Sequence, residues 1–309
     1  MTGRRILVSV ALCVTLSLAS TSSSSLLAAE TTIFEYDSVY HHIRVVQDGT
    51  FRALRFDNNY YQSKVNTENP LTGHFGYVEL FFEAFLFQPG AENVLMLGLG
   101  GGSAQRLFHH FQPGLDILTV ELDPAVVNVA EEYFFYDRDV LPVQVSDARM
   151  YLRRVQDKWD LIVQDTYSSN FYGTFIPFHL ATLEYFTLVK ERLTDGGVFA
   201  INVIGTIYGG ESNRVITSVY RTMHEVFPQI YLFAAKDSQN VVIVATLDEE
   251  RLPHTELLGR AQALLRARGG EFPGSFVSGA HQFYDTIPSG LSQAIVLTDD
   301  FAPTDNLLR

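Results

Sequence analysis

The chain has 309 residues, enough for one large domain or two unequal ones, and 47% hydrophobic residues with 13% aromatics can supply a substantial core. A formal charge of -13 with only 22 lysines and arginines argues against a protein that grips nucleic acid through its phosphates, which requires clustered basic side chains. The same charge suits a cationic small molecule.

Residues 1–29 stand apart. Arg4 and Arg5 precede an apolar run at 6–19, then a Ser/Thr patch and Leu26-Leu27-Ala28-Ala29, the order of a secretory signal peptide. The run falls short of the roughly twenty residues that span a bilayer. We therefore expect an exported, periplasmic or secreted protein with no stable span after cleavage, anchored only if the leader stays uncleaved. Cys13, the single cysteine, lies in this segment, so the cleaved chain would have no disulfide, no cysteine nucleophile and no cysteine metal ligand.

Residues 30–71 read as an N-terminal β region. The β-rich runs 42–46 and 51–56 flank Gln47-Asp48-Gly49, a turn signal, which predicts a hairpin or meander. From 72 to 87 apolar residues recur at helical spacing, and Pro89-Gly90 ends the segment. Strand and helix then alternate. Strands are expected at 93–97, 116–120, 141–145, 159–164, 197–203, 229–234 and 240–245, and helices at 103–111, 124–133, 148–154, 180–193 and 212–226. This is the pattern of an α/β, Rossmann-like doubly wound sheet over 72–309, mostly parallel. The short loop 235–239 predicts an antiparallel edge.

The strand 93–97 runs into Gly98-Leu99-Gly100-Gly101-Gly102-Ser103 and then a helix. Glycines there let a ligand approach the backbone, and the helix start offers unpaired N–H groups, so Gly98, Gly100 and Gly102 are candidate nucleotide ligands; a purely structural turn is the alternative. The next strand ends in Val120-Glu121-Leu122-Asp123, where a nucleotide site places an acid for the ribose hydroxyls. Glu121 fits that role, whereas Asp123 before Pro124 fits a helix N-cap. Asp147 either accepts from an adenine amino group or caps the following helix. After the fourth strand comes Gln164-Asp165-Thr166-Tyr167-Ser168-Ser169-Asn170. Ligands of open α/β sheets sit outside the carboxyl ends of the strands, which sends Asp165 to the crevice of Gly98 and Glu121. The adjacent pairs His41-His42 and His109-His110 diverge on strand or helix, so no metal is expected.

The order of glycine turn, VELD, DA and an aspartate-led loop resembles the spermidine synthase family of polyamine aminopropyltransferases. Asp37-Ser38-Val39-Tyr40-His41-His42-Ile43, Arg55-Phe56-Asp57 with Gln62, Tyr77-Val78-Glu79 and the terminal Leu297-Thr298-Asp299-Asp300-Phe301-Ala302-Pro303 extend the resemblance over roughly 35–305. It implies decarboxylated S-adenosylmethionine as cosubstrate, a small amine such as putrescine as acceptor, and a homodimer. By residue it implies Asp165 as catalytic carboxylate, Glu121 on the ribose, Asp147 on the adenine, and Gln62, Tyr77, Tyr167 and Ser168 around the substrate. Departures fall at Gly101 and Ser168, where the family has aspartates, and at Val78, where it has His or Gln. Methyl transfer from intact S-adenosylmethionine and non-catalytic binding of an exported polyamine or nucleoside remain alternatives.

Overall fold

The structure, a computed structural model, describes residues 30–57, 60–170, 173–208 and 213–307; the expected leader lies outside the described residues. Strands β1 (Thr31–Asp37), β2 (His42–Asp48), β3 (Phe51–Arg55) and β4 (Tyr61–Asn66) form an antiparallel meander in sequential order. Gly49, at φ 55°, supplies the left-handed residue of the β2–β3 turn. The helical spacing over 72–87 yields helix only from Tyr77, because Gly73 sits at φ 82°, a conformation a helix cannot continue through. Helix α1 (Tyr77–Leu80) tightens directly into a 3-10 segment, Phe81–Leu86.

The large sheet uses β5 (Asn93–Leu97), β6 (Asp116–Glu121), β7 (Val143–Val145) and β8 (Trp159–Gln164), interleaved with α2 (Ser103–Phe111), α3 (Pro124–Phe134) and α4 (Ala148–Arg154). A small hairpin, β9 (Ser168–Asn170) and β10 (Gly173–Phe175), follows β8. Then come α5 (Leu183–Glu191), β11 (Leu193–Ile204), α6 (Asn213–His224), β12 (Gln229–Ala234), β13 (Asn240–Thr246), α7 (His254–Ala267) and α8 (Phe276–Ala280). The sheet order is β12-β13-β11-β8-β5-β6-β7, with β13 antiparallel to both neighbours and the strands from β11 to β7 parallel. The expected antiparallel edge is present.

Several expected bounds shift: β11, expected over 197–203, runs Leu193–Ile204, and others move for local reasons. The helix expected over 180–193 starts at Leu183, because the Thr182 hydroxyl caps it by accepting from Tyr185 N–H at 3.2 Å. The strand expected from 141 starts at Val143, after Pro142, which has no N–H to give the ladder. Helix α6 is described from Asn213, since Ser212 lies outside the described residues.

Alternate residues of each central strand feed opposite layers. Val94 and Met96 of β5 join the core made with α2, α7 and α8, whereas Leu95 and Leu97 join the one made with α4, α5 and α6. Phe81, Phe82 and Phe85 are wholly buried in the first of these, each worth about 1.5–3 kcal/mol of burial. The meander docks through Ile43, Val45, Leu54 and Val65 on Val126, Val129 and Phe134 of α3. That contact sets β4 beside the start of α2, the arrangement on which the site depends.

Candidate active site

The chain leaves β5 to build β6 and β7 on one side, then returns to place β8 on the other. This reversal opens a crevice at the carboxyl ends of β5 and β8. Gly98 and Asp165 meet there. Gly98 N–H donates to Val120 O at 2.8 Å, and Asp165 N–H donates to Leu97 O at 2.8 Å. Gly98 has φ 95°, and a Cβ on it would collide with the Asp165 carbonyl, so the turn admits glycine alone.

A cavity occupies the crevice, and Gln62, Tyr77, Gly98, Gly100, Glu121, Asp165, Tyr167 and Ser168 all line it. Two expected ligands do not. Gly102, at φ 68°, turns its Cβ direction into the Tyr136 ring, so it serves the start of α2 rather than the wall. Asp147 lies between the lining residues Ser146 and Ala148, with both carboxylate oxygens engaged: Met150 N–H donates to Oδ1 at 2.8 Å, and Oδ2 meets His179 Nε2 at 2.9 Å. The N-cap role is present in the fold, and the carboxylate sits beside the cavity wall. Burial is the largest influence on Asp147 and would raise its pKa, but the bonds from His179, Met150 and Arg149 outweigh it and hold the carboxyl below its ordinary value.

Glu121 ends β6 with its carboxylate across the glycine turn. Leu99 N–H donates to Oε2 at 2.9 Å and Asp123 N–H to Oε1 at 3.0 Å. Each oxygen keeps a second lone pair for a hydroxyl donor. Burial raises this carboxyl's pKa against those two bonds. Asp123 is the N-cap of α3, accepting from Ala125 N–H at 2.9 Å.

Asp165 is gripped at both oxygens. The Tyr77 hydroxyl donates to Oδ2 at 3.0 Å and Asn202 Nδ2 to Oδ1 at 2.9 Å. Burial pushes its pKa up to about 6, against the two bonds, which favour the ionised form. Asn202 is itself fixed: Asn240 Nδ2 donates to its Oδ1 at 3.0 Å, while the Tyr167 hydroxyl donates to its carbonyl at 2.8 Å and accepts from Ile204 N–H at 3.0 Å. Tyr77 and Tyr167 both have raised pKa values, chiefly through burial, and serve as neutral donors. Gln62 reaches from β4 to Ser169 Oγ at 3.1 Å and Thr174 Oγ1 at 3.2 Å, tying the meander to the β9–β10 hairpin.

Asn202, Asn240 and His179 escaped the sequence reading. Asn202 had a signal, a lone amide inside the apolar strand Phe199-Ala200-Ile201-Asn202-Val203, since a buried polar group needs a partner. Asp299 forms two 2.7 Å bonds with the Arg149 guanidinium and accepts from Thr182 Oγ1 at 2.7 Å, so it fastens the C-terminal segment and does not face the cavity. His42 is bracketed by Asp37 and Glu35, and His41 bonds Asp57 at 3.1 Å and stacks on Phe56.

Sheet order, glycine turn and acid-tipped strands together define a Rossmann-like fold. The spermine/spermidine synthase domain matches residues 75–248, and the chain belongs to that family, a family of aminopropyltransferases. It is 32% identical over 293 residues to the polyamine aminopropyltransferase of Vibrio vulnificus, covering 90% of this chain and 92% of that one. A probable spermidine synthase of Corynebacterium glutamicum shares the fold, with a TM-score of 0.62 at 21% identity over 80% of this chain and 94% of that one. Human methyltransferase-like protein 13, solved in complex with SAH, has a TM-score of 0.52 at 27% identity over 62% of this chain and 88% of that one.

Proposed function

We propose that the chain moves an aminopropyl group from decarboxylated S-adenosylmethionine to the nitrogen of a small amine, with Asp165 as the base. The observation that carries this reading is the state of Asp165: a carboxylate at the crevice, aimed by Tyr77 and Asn202, with its pKa pushed up to about 6. An amine is protonated at neutral pH, with a reference value of about 10.4 for a lysine-like group, and attacks carbon only when neutral. Asp165 holds the ammonium and takes its proton. The nitrogen lone pair then forms a bond to the propyl carbon, the C–S bond breaks with its electrons passing to sulfur, and the sulfonium leaves as a neutral thioether, 5′-methylthioadenosine. Positioning and general-base help share the work.

The wall fits a nucleoside. Glu121 retains lone pairs for two ribose hydroxyls, the turn at Gly98 and Gly100 lets backbone approach the ligand, and Leu122, Ala148 and Leu180 offer an apolar face to a base.

A second reading, methyl transfer from intact S-adenosylmethionine, is supported by the likeness to a methyltransferase solved with SAH, and residue 101 does not decide between the donors. A Cβ on Gly101 would lie 2.7 Å from Ser63 Oγ and 2.8 Å from the Phe134 ring, leaving no room for a carboxylate to receive the donor's ammonium. The two separate in one experiment. The purified protein is incubated with decarboxylated or intact S-adenosylmethionine and an amine, and the nucleoside product is identified. 5′-Methylthioadenosine from the decarboxylated donor alone supports aminopropyl transfer, and S-adenosylhomocysteine from the intact donor alone overturns it. Binding of polyamine or nucleoside without turnover would mark a non-catalytic binder. The signal-like segment at 1–29 further supports export, testable by N-terminal sequencing of the mature protein, and family likeness supports a homodimer, testable by sedimentation.

A further inference from the structure

The wall that offers an apolar face to a base also carries an imidazole. His179 lines the cavity together with Pro177, Leu180, Ser146 and Ala148. Its ring is set by Asp147, whose Oδ2 lies 2.9 Å from His179 Nε2. Burial would raise that carboxyl's pKa, but the bonds from His179 and Met150 outweigh it and keep the group ionised at neutral pH. An ionised carboxylate only accepts, so the neutral imidazole carries its proton on Nε2 and keeps Nδ1 as a lone-pair acceptor. Among the described residues Nδ1 has no partner.

The backbone of His179 is held as firmly as its ring. Arg149 Nη1 donates to the His179 carbonyl at 3.1 Å, and the same guanidinium makes two 2.7 Å bonds to Asp299. Arg149 is largely buried, and Asp299 is fixed in turn by Thr182 Oγ1 at 2.7 Å and by its own N–H, which donates to Glu184 at 2.9 Å. The C-terminal segment thus reaches the cavity through Arg149 and His179. None of these bonds needs a ligand, so the acceptor is in place before one arrives. An amino group on the base satisfies such an acceptor, whereas a carbonyl sets two acceptors against each other and leaves both unpaired.

Resting on the reading that a purine nucleoside fills the crevice, we propose that His179 is a base-specificity residue whose Nδ1 accepts from the 6-amino group, with Asp147 setting its tautomer and Asp299, through Arg149, as a positioning residue.

Calorimetry on the full chain compares 5′-methylthioadenosine with 5′-methylthioinosine, in which a carbonyl replaces the 6-amino group, while thioether release from the decarboxylated donor is scored separately. The wild type should bind the amino form at least about tenfold more tightly, a difference of about 1.4 kcal/mol. His179→Ala should cut that ratio to below about threefold. Asp299→Ala, measured well below its melting temperature, should lower the ratio in the same direction and add nothing in the His179→Ala background. Equal binding of the two nucleosides by the wild type overturns the inference even if a variant fails to fold. A ratio that His179→Ala leaves in place also overturns it, and full additivity of the two substitutions overturns the positioning role of Asp299. The expected preference without thioether release from any amine supports the inference and counts against the transfer reading alone; failure of the wild type to bind either nucleoside overturns both.

Discussion

Replacing Asn202 by alanine removes one of the two bonds that favour the ionised form of Asp165. A hydrogen bond to a charged group contributes about 1.5–3 kcal/mol, and one pKa unit corresponds to about 1.4 kcal/mol. The carboxyl, already raised to about 6 by burial, should therefore move up a further one to two units. In the proposed transfer Asp165 works only when ionised, so activity should be present above its pKa and lost below it. The acidic limb of the rate profile should shift the same way. At pH 7 the wild-type carboxylate would be about nine-tenths ionised and the variant's about a tenth to a half, a loss of roughly two- to tenfold that recovers by pH 9. The assay is kcat/KM for thioether release from pH 5 to 9.5, with donor KM as a control on binding. An acidic limb left at the wild-type position would show that Asn202 does not govern the charge on Asp165.

Three further predictions concern stability. Glu83 is fully buried in the first core and, among the described residues, has no hydrogen-bond partner on either oxygen, and burial holds its pKa well above the ordinary value. The native state thus keeps a proton that the unfolded chain releases, so stability is full below the ordinary carboxyl range and falls by up to about 1.4 kcal/mol per pH unit above it. Glu83→Met should gain on the wild type steadily from pH 5 to 8 in urea unfolding, and parallel profiles would contradict the assignment. Gly98→Ala should cost at least about 1–2 kcal/mol from the left-handed backbone and push the Asp165 loop aside, read as a lower melting temperature with loss of nucleoside binding; unchanged values for both would refute the tight turn. Asp299→Ala strands the largely buried Arg149 and should destabilise by about 2 kcal/mol, discounted because Asp299 is 40% exposed. The Arg149 bond, the largest cause, depresses the Asp299 pKa, so the pair stabilises above the ordinary carboxyl range and fades as pH falls through the depressed value; equal melting of wild type and variant at pH 7 would count against it.

Legibility followed local chemistry. β5, α2, α4 and β8 fall on their expected bounds because apolar runs there end at glycine, proline or a capping aspartate. β1 was not predicted: its burial is almost uniformly low, so no alternation marks Thr-Thr-Ile-Phe-Glu-Tyr-Asp as a strand. β4, Tyr-Gln-Ser-Lys-Val-Asn, alternates in burial, but its buried positions are Ser63 and Val65, so a single aliphatic residue marks the face; it carries Gln62, Ser63 and Lys64 to the cavity. Convergence of Gly98, Glu121 and Asp165 could be inferred because strand tips in such a sheet share an edge. The supports around them could not, since Asn202, Asn240 and Asp165 meet only through the pairing of β8, β11 and β13. His179 reaches Asp147 across 32 residues without any motif.

The proposed reaction requires one nucleoside to occupy the crevice between the glycine turn and Asp165. A crystal structure of the protein with 5′-methylthioadenosine tests it most directly. It should place the ribose hydroxyls on Glu121 and turn the methylthio group toward Asp165. A nucleoside bound elsewhere, or one whose sulfur points away from Asp165, would contradict it.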